Sequence, residues 1–175
     1  MMHRVPWIIG AVLIVLSACV STSPSIETPD GAPREQNSPT VYEFGDEALT
    51  IDELPAQQLS DGECGLFLFA SQPSARFVFF AEAGAGIGKM QLNGDTVSFA
   101  RTEASGDVFD MHFSEQTYQS PTAQLELALS LRPGEGDASG TRLNGGSLRL
   151  TRPNGWTMVT QVSGATTCGA ALNAF

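Results

Sequence analysis

Basic and metal-binding side chains are scarce in this chain of 175 residues. It has nine lysine and arginine residues against 19 aspartate and glutamate residues, and its formal net charge is −10. Nucleic-acid binding depends on neutralising phosphates with basic side chains, so this balance argues against a nucleic-acid partner. Zinc sites need clusters of Cys and His, but the chain has three cysteines and two histidines, far apart in sequence. We therefore expect no metal and no other cofactor.

Catalytic motifs are also missing. No G-x-S-x-G sequence that would form a nucleophile elbow is present. Residues 84–89 are only partly like a phosphate-binding loop, because Met90 stands where Ser or Thr is needed. His112 lies two positions from Asp110 in a stretch that alternates like a strand, which is typical of a surface histidine with a solvated carboxylate. The sequence therefore predicts that the protein is not an enzyme.

A single long apolar run occurs, and it lies at the N-terminus. Residues 5–16 follow the basic pair His3 and Arg4 and end in Leu16-Ser17-Ala18-Cys19. A helix of about twelve residues rises only ~18 Å, which is too short for a hydrocarbon core of ~30 Å. The layout is that of a signal peptide, with small residues before the cleavage point. The final tetrapeptide resembles the lipobox of bacterial lipoproteins.

This resemblance implies that residues 1–18 are a lipoprotein signal peptide and that Cys19 becomes the acylated first residue. Two or more acyl chains such as palmitate make membrane attachment stable, whereas one chain is marginal. Val20 rather than Asp follows Cys19, which in well-studied Gram-negative systems favours the outer membrane. The expected location is therefore the cell envelope, with the protein anchored in the outer membrane and its domain in the periplasm. An ordinary secretory signal cut elsewhere is the alternative.

Composition divides the remaining chain into three parts. Residues 19–40 are rich in Ser, Thr and Pro and are predicted to form a disordered tether. Residues 41–63 mix apolar and acidic residues and are predicted to be an extended acidic entry segment. Residues 64–175 are predicted to form a single β-domain. Most of the negative charge precedes that domain, and solubility explains it more simply than an acidic docking motif.

Period-two alternation of apolar and polar residues predicts β-strands from Cys64 onwards. The clearest example has Leu125, Leu127 and Leu129 on one face, and Asn93-Gly94 and Asn154-Gly155 are typical of tight turns. The short connections predict an all-β, single antiparallel up-and-down domain, closed or nearly closed into a barrel, with a two-sheet sandwich as the alternative. About eight strands are predicted, at roughly residues 64–70, 76–82, 87–92, 95–102, 107–114, 122–132, 146–152 and 156–163.

An even number of strands brings the start of the first and the end of the last to the same end of the barrel. Cys64 opens the first strand and Cys168 lies just past the last. With Cys19 lipidated, these two are the only remaining thiols in an oxidising compartment. A Cys64–Cys168 disulfide is therefore predicted, and two buried free thiols are the alternative.

The first two predicted strands are apolar on both faces. Phe67 and Phe69 alternate with leucines, and Phe77 and Phe79 are predicted to share a face of the next strand. A strand that is apolar on both faces must be covered on both. The interior covers one face, and the outer cover is either residues 41–59 or a partner protein or apolar ligand. Phe109 and Phe113 are predicted to fill the interior together with the leucine-rich strand.

Arg142, Arg149 and Arg152 form a small basic cluster, with Trp156 across the adjacent turn. Such a group suits an anionic glycan, a peptidoglycan stem or an acidic partner patch. Solubilising charges on the outward face of a strand are the simpler interpretation. The candidate partner surface consists of these four residues together with the two phenylalanines of the first strand.

A wider resemblance concerns most of residues 60–170. The segments 64–69, 76–80 and 146–151, followed by Gly155-Trp156, Gly164 and Cys168-Gly169, are similar to a set of small alphaproteobacterial envelope proteins. The resemblance brings no activity with it. The sequence predicts a lipid-anchored envelope lipoprotein that acts as a non-enzymatic binding or structural module, with an envelope protein or peptidoglycan as partner. The alternative is a periplasmic β-barrel that binds a small ligand or inhibits an enzyme; a packed interior favours the first and an open cavity the second.

Overall fold

The computed structural model describes residues 48–169, and within that range the regular elements are all β-strands. The predicted signal peptide, Cys19, the tether and the first part of the entry segment lie outside the described residues. The strands are β1 Ile51–Asp52, β2 Cys64–Ala70, β3 Arg76–Glu82, β4 Ile87–Leu92, β5 Asp95–Phe109, β6 His112–Ser120, β7 Leu125–Asp137, β8 Gly140–Thr151 and β9 Thr157–Cys168.

The strands β2 to β9 close into an eight-stranded antiparallel barrel. Each pairs with the next along the chain, and β9 returns to pair with β2. Closure removes the exposed sheet edges that an open sheet of this size would present. The prediction of a closed up-and-down barrel of about eight strands is confirmed, and β1 is an additional short strand.

The barrel has two ends, which we name by one residue of each. The cysteine end holds the start of β2, the end of β9 and the β3–β4, β5–β6 and β7–β8 connections. Cys64 and Cys168 lie opposite each other there and are joined by a disulfide. The tryptophan end holds the β2–β3, β4–β5, β6–β7 and β8–β9 connections, and Trp156 lies in the last of these.

The interior of the barrel is filled by side chains from all eight strands. Phe79 and Tyr118 meet edge to face with ring centroids 5.5 Å apart. Burying a side chain of this size stabilises the fold by about 1.5–3 kcal/mol. Further core residues, each at most 2% exposed, are Leu66, Leu68, Val78, Met90, Leu92, Val97, Phe99, Leu127, Leu129, Leu148, Leu150 and Val162.

The described part of the entry segment is extended and becomes part of the barrel wall. β4 pairs with β3 through residues 87–89 but with β1 through residues 91–92. The Leu54 N–H then donates to the Phe77 carbonyl at 2.7 Å, so the segment fills the space between β3 and β4. Leu49 and Ile51 are buried in the core.

The predicted strand 107–114 is wrong, because a two-residue turn divides it. Asp110 and Met111 have φ angles of 43° and 60°, as in the type I′ turn that matches the twist of paired strands. The turn reverses the chain, so Phe113 lies on the outer side and is only half-buried, against the expectation that it fills the interior. Apolar residues occupy every second position from Phe109 to Phe113, so the sequence pattern gave no sign of the turn.

The inner face of β6 is polar as a consequence. Its inward side chains are all buried, although the sequence placed His112 on the surface. That expectation is wrong because the turn places the polar residues of this stretch, and not the apolar ones, on the barrel side. These buried residues are His112, Ser114, Gln116, Tyr118 and Ser120.

Three other local expectations also need correction. A register shift between Leu68 and Phe69 pairs Leu68 with Phe79 and Phe69 with Phe77. Phe77 and Phe79 therefore lie on opposite faces of β3, not on the same face as predicted. The stretch 134–140, which lies outside the predicted strands, is mostly part of the β7–β8 hairpin. Gly140 is required there, since a Cβ would lie 2.1 Å from the Thr166 carbonyl oxygen. The last two predicted strands are longer than expected, at 140–151 and 157–168.

Candidate interaction surface

The tip of the β5–β6 hairpin reaches the opposite side of the cysteine end. Pairing of β5 with β4 stops at Ala100, and pairing of β6 with β7 stops at Glu115, so the rest of the hairpin is free to bend. The Thr166 hydroxyl on β9 donates to the Asp110 carboxylate. Asp110 is therefore half-buried and held, whereas the sequence suggested a solvated carboxylate.

His112 forms the second contact of this hairpin tip. Its Nε2 lies 3.3 Å from the Cys64 carbonyl oxygen, which can only accept, so Nε2 carries the proton. Its Nδ1 is buried without a hydrogen-bond partner among the described residues. Burial lowers the pKa of His112 to about 4, and the nearby Arg101 charge adds to the effect. The ring is therefore neutral at pH 7 and serves to hold the hairpin to β2.

Arg101 on β5 hydrogen-bonds with the polar inner face of β6. Its Nη1 donates to the Gln116 Oε1 at 3.4 Å and its Nη2 to the Ala83 carbonyl at 3.2 Å. The Tyr118 hydroxyl donates to the same Gln116 oxygen at 2.7 Å, and burial raises the pKa of Tyr118 to about 12. Buried polar groups are costly unless they are paired, so these bonds explain how polar residues are tolerated inside the barrel.

Four phenylalanines pack together on the outside of β2 and β3, and we call this group the aromatic face. Phe67 lies 5.0 Å from Phe80 and 5.9 Å from Phe77, and Phe69 lies 5.4 Å from Phe77, between ring centroids. Such ring pairs are favourable beyond the area that they bury. The aromatic face is a packed unit.

The entry segment covers only part of the aromatic face. Leu59 lies beside Phe67 and Phe80 over Gly65, where a Cβ would be 3.0 Å from the Leu59 Cδ1. Phe80 is 2% exposed under this cover, but Phe69 is 39% exposed. The entry segment therefore covers one side of the aromatic face, as one of the two explanations expected, and Phe69 remains accessible to solvent.

Arg142 lies in the same row of the barrel wall as Phe67. Both residues pair with Ala165, from β8 and β2 respectively. Adjacent strands are about 4.8 Å apart, so the two side chains leave the outer wall about 10 Å from each other. Arg149 is also exposed on β8 but pairs with Val159, nearer the tryptophan end.

Arg152 and Trp156 lie apart from this group, in the β8–β9 turn at the tryptophan end. The Arg152 guanidinium lies 4.8 Å from the centre of the Trp156 ring, and Arg152 is only 8% exposed. Cation–π contact and burial place its charge against the ring. The structure thus brings Phe67, Phe69 and Arg142 together and separates them from the Arg152–Trp156 pair.

Two concave regions on the outside of the barrel complete the description. One, of about 800 Å³, lies where the β7–β8 hairpin curves towards β9, and its lining includes Glu135, Asp137, Arg142 and Asn144. The sequence did not predict this groove, because no predicted strand covers the stretch between residues 132 and 146. The other, of about 340 Å³, lies at the tryptophan end beside Arg152.

No group of three or more His, Cys, Asp or Glu side chains within residues 48–169 is arranged to hold a metal ion. The same part of the chain holds no helix of the length and apolar character needed to cross a membrane. Comparisons with models of protein families, with curated proteins and with solved structures find no match to this chain.

Proposed function

We propose that this protein is a non-enzymatic binding or structural module of the cell envelope, which contacts another envelope component through its outer wall. The filled interior carries this proposal. Small-ligand carriers of this architecture keep an open lumen, whereas Phe79, Phe99 and Tyr118 occupy this one with no exposure to solvent. Recognition is therefore assigned to the outer surface, at Phe69, the exposed part of Phe67 and Arg142.

The proposed anchor is the acylated Cys19, after removal of residues 1–18. The apolar run and the lipobox-like Leu16-Ser17-Ala18-Cys19 support it, and Val20 favours the outer membrane with the domain in the periplasm. The scarcity of basic residues favours a protein or peptidoglycan partner over nucleic acid. An apolar ring beside an arginine suits a partner with an apolar side chain next to a carboxylate.

An enzyme inhibitor is the second candidate, and it would use the same outer surface. The partner's identity separates the two candidates, since an inhibited hydrolase loses activity when it is bound. A carrier of small apolar ligands is less favoured because the interior is occupied.

The test is photo-crosslinking in intact cells, with a benzophenone-bearing amino acid placed at Phe69. The matched control places the same group at Val159, which is 50% exposed on another part of the outer wall. We expect an adduct of one defined mass from position 69 and none of that mass from position 159. An Arg142→Glu change in the position-69 variant should reduce the adduct without changing the circular dichroism spectrum.

The same adducts from both positions, or an adduct insensitive to Arg142→Glu, would count against the proposed surface. Purified partner and protein should then be mixed, and binding measured with wild type and Phe69→Glu. Equal affinities would assign recognition to another part of the barrel.

A further inference from the structure

Charge is distributed unequally between the two ends of the barrel. The four connections at the tryptophan end, residues 71–75, 93–94, 121–124 and 152–156, contain a single charged residue, Arg152. Asp52 and Asp95 flank them, and the Asp52 carboxylate accepts a hydrogen bond from the Gly94 N–H at 2.7 Å. The connections and hairpin arms at the cysteine end carry a group of acids: Asp61, Glu63, Glu82, Glu103, Asp107, Asp110, Glu115, Glu135 and Asp137.

Three bases accompany this acidic group, and one of them is enclosed. Arg101 is bonded to Gln116 and to the Ala83 carbonyl, while Arg132 and Arg142 lie on the β7–β8 hairpin. Nine acids against three bases leave the cysteine end strongly negative. Counted in the same way, with its hairpin arms, the described part of the tryptophan end has four acids, Asp52, Glu53, Asp95 and Glu126, against three bases, Arg76, Arg149 and Arg152, and is close to neutral.

The described part of the chain enters the barrel at the tryptophan end. Thr50 exchanges hydrogen bonds with Asn93 of the β4–β5 turn: its N–H donates to Asn93 Oδ1 at 2.7 Å, and its carbonyl accepts from the Asn93 N–H at 3.1 Å. Cys19 stands 29 positions before Ala48. The disordered tether predicted for residues 19–40 does not by itself fix which end of the domain faces the membrane.

Trp156 is the exposed aromatic residue of the β8–β9 turn. The ring is 38% exposed in the β8–β9 turn, and the hollow at this end is lined by Pro121, Leu125 and Pro153 together with polar residues that include Glu126. Tryptophan is enriched at membrane–water interfaces because its ring is amphipathic. Arg152 stacks against the ring but is only 8% exposed, so the indole and not the guanidinium faces solvent here.

We propose that the tryptophan end of the barrel rests on the phospholipid headgroups of the membrane, with Trp156 in the interface. This inference rests on the proposed lipid anchor. Turned the other way, the acidic cysteine end would lie within about one Debye length, ~8 Å, of an anionic surface and be repelled by it. Turned this way, those acids and the exposed Arg142 at the cysteine end remain accessible to a partner in the aqueous compartment.

The test uses fluorescence of the lipid-modified full protein in phosphatidylethanolamine–phosphatidylglycerol vesicles. The sequence contains two tryptophans, Trp7 and Trp156, and removal of residues 1–18 leaves Trp156 alone. Brominated acyl chains quench only indoles that lie at the membrane. We expect a blue shift on reconstitution and a loss of Trp156 emission when brominated lipid replaces ordinary lipid.

The matched control carries Trp156→Phe together with Val108→Trp, which moves the indole to a side chain that is 67% exposed near the cysteine end. Its emission should be unchanged by brominated lipid, and Trp156→Phe alone gives the background. Equal emission of Trp156 in both lipids, from protein that floats with the vesicles, would overturn the orientation and leave the anchor intact. Protein that fails to float would overturn the anchor and the orientation with it.

Discussion

Acidification is expected to weaken the fold through His112. The pKa of this buried ring is about 4 in the folded protein, against an ordinary value of 6.5 in the unfolded chain. Between these values the unfolded chain binds more protons, so the free energy of unfolding falls as the pH decreases through that window. The loss from His112 amounts to about 2 kcal/mol at pH 5 and about 3 kcal/mol below pH 4.

The physical cause is that the surroundings of His112 destabilise the protonated form of its ring. Nδ1 would gain a proton while it lies buried with no acceptor among the described residues, and the Arg101 charge opposes a second cation. The Asp110 carboxylate acts in the opposite direction and offsets a part of this cost. Protonation should therefore loosen the β5–β6 hairpin tip from β2 and β9.

The assay is urea unfolding followed by circular dichroism at pH 7, 6, 5 and 4.5, on wild type and on His112→Gln. Glutamine keeps a donor for the Cys64 carbonyl but does not titrate. We expect the free energy of unfolding of wild type to fall by about 2 kcal/mol more than that of the variant between pH 7 and 5. Parallel pH profiles for the two proteins would refute the argument.

Three further predictions concern the anchor, the disulfide and the close approach of β9 to β2. Cys19→Ser should release the protein from membranes on cell fractionation, and unchanged retention would argue against the lipid anchor. The double change Cys64→Ala and Cys168→Ala removes a disulfide between residues 104 positions apart and should lower the free energy of unfolding by about 2–5 kcal/mol. An unshifted urea midpoint would show that the disulfide does not stabilise the barrel. Gly164→Ala should lower the melting temperature strongly, because its Cβ would lie 2.0 Å from the Phe67 carbonyl oxygen; the exposed Ser163→Ala is the control, and similar melting temperatures for the two variants would exclude the close approach.

The barrel was predictable because its strongest signals are local. The leucine-rich strand β7 alternates cleanly, and Leu125, Leu127 and Leu129 do face the interior. Asn93 and Gly94 both adopt positive φ, as an Asn-Gly hairpin turn requires. Regular strands joined by short turns leave few arrangements other than an antiparallel up-and-down sheet.

The candidate site was less predictable because its geometry depends on register and distant contacts. The Asp110-Met111 turn contains neither Gly nor Asn, and only the tolerance of Asp for positive φ hinted at it. The polar inner face of β6 is sustained by Arg101 on another strand, which no local pattern reveals. The separation of Arg152 from Arg142 likewise follows from where β8 ends.

The most direct test of the account is the intact mass of the protein extracted from cell membranes, measured with and without reductant. We predict a chain that begins at Cys19, carries acyl chains and gains two hydrogens on reduction as the Cys64–Cys168 bond opens. An unprocessed chain of 175 residues, without added lipid and with its thiols already free, would contradict it.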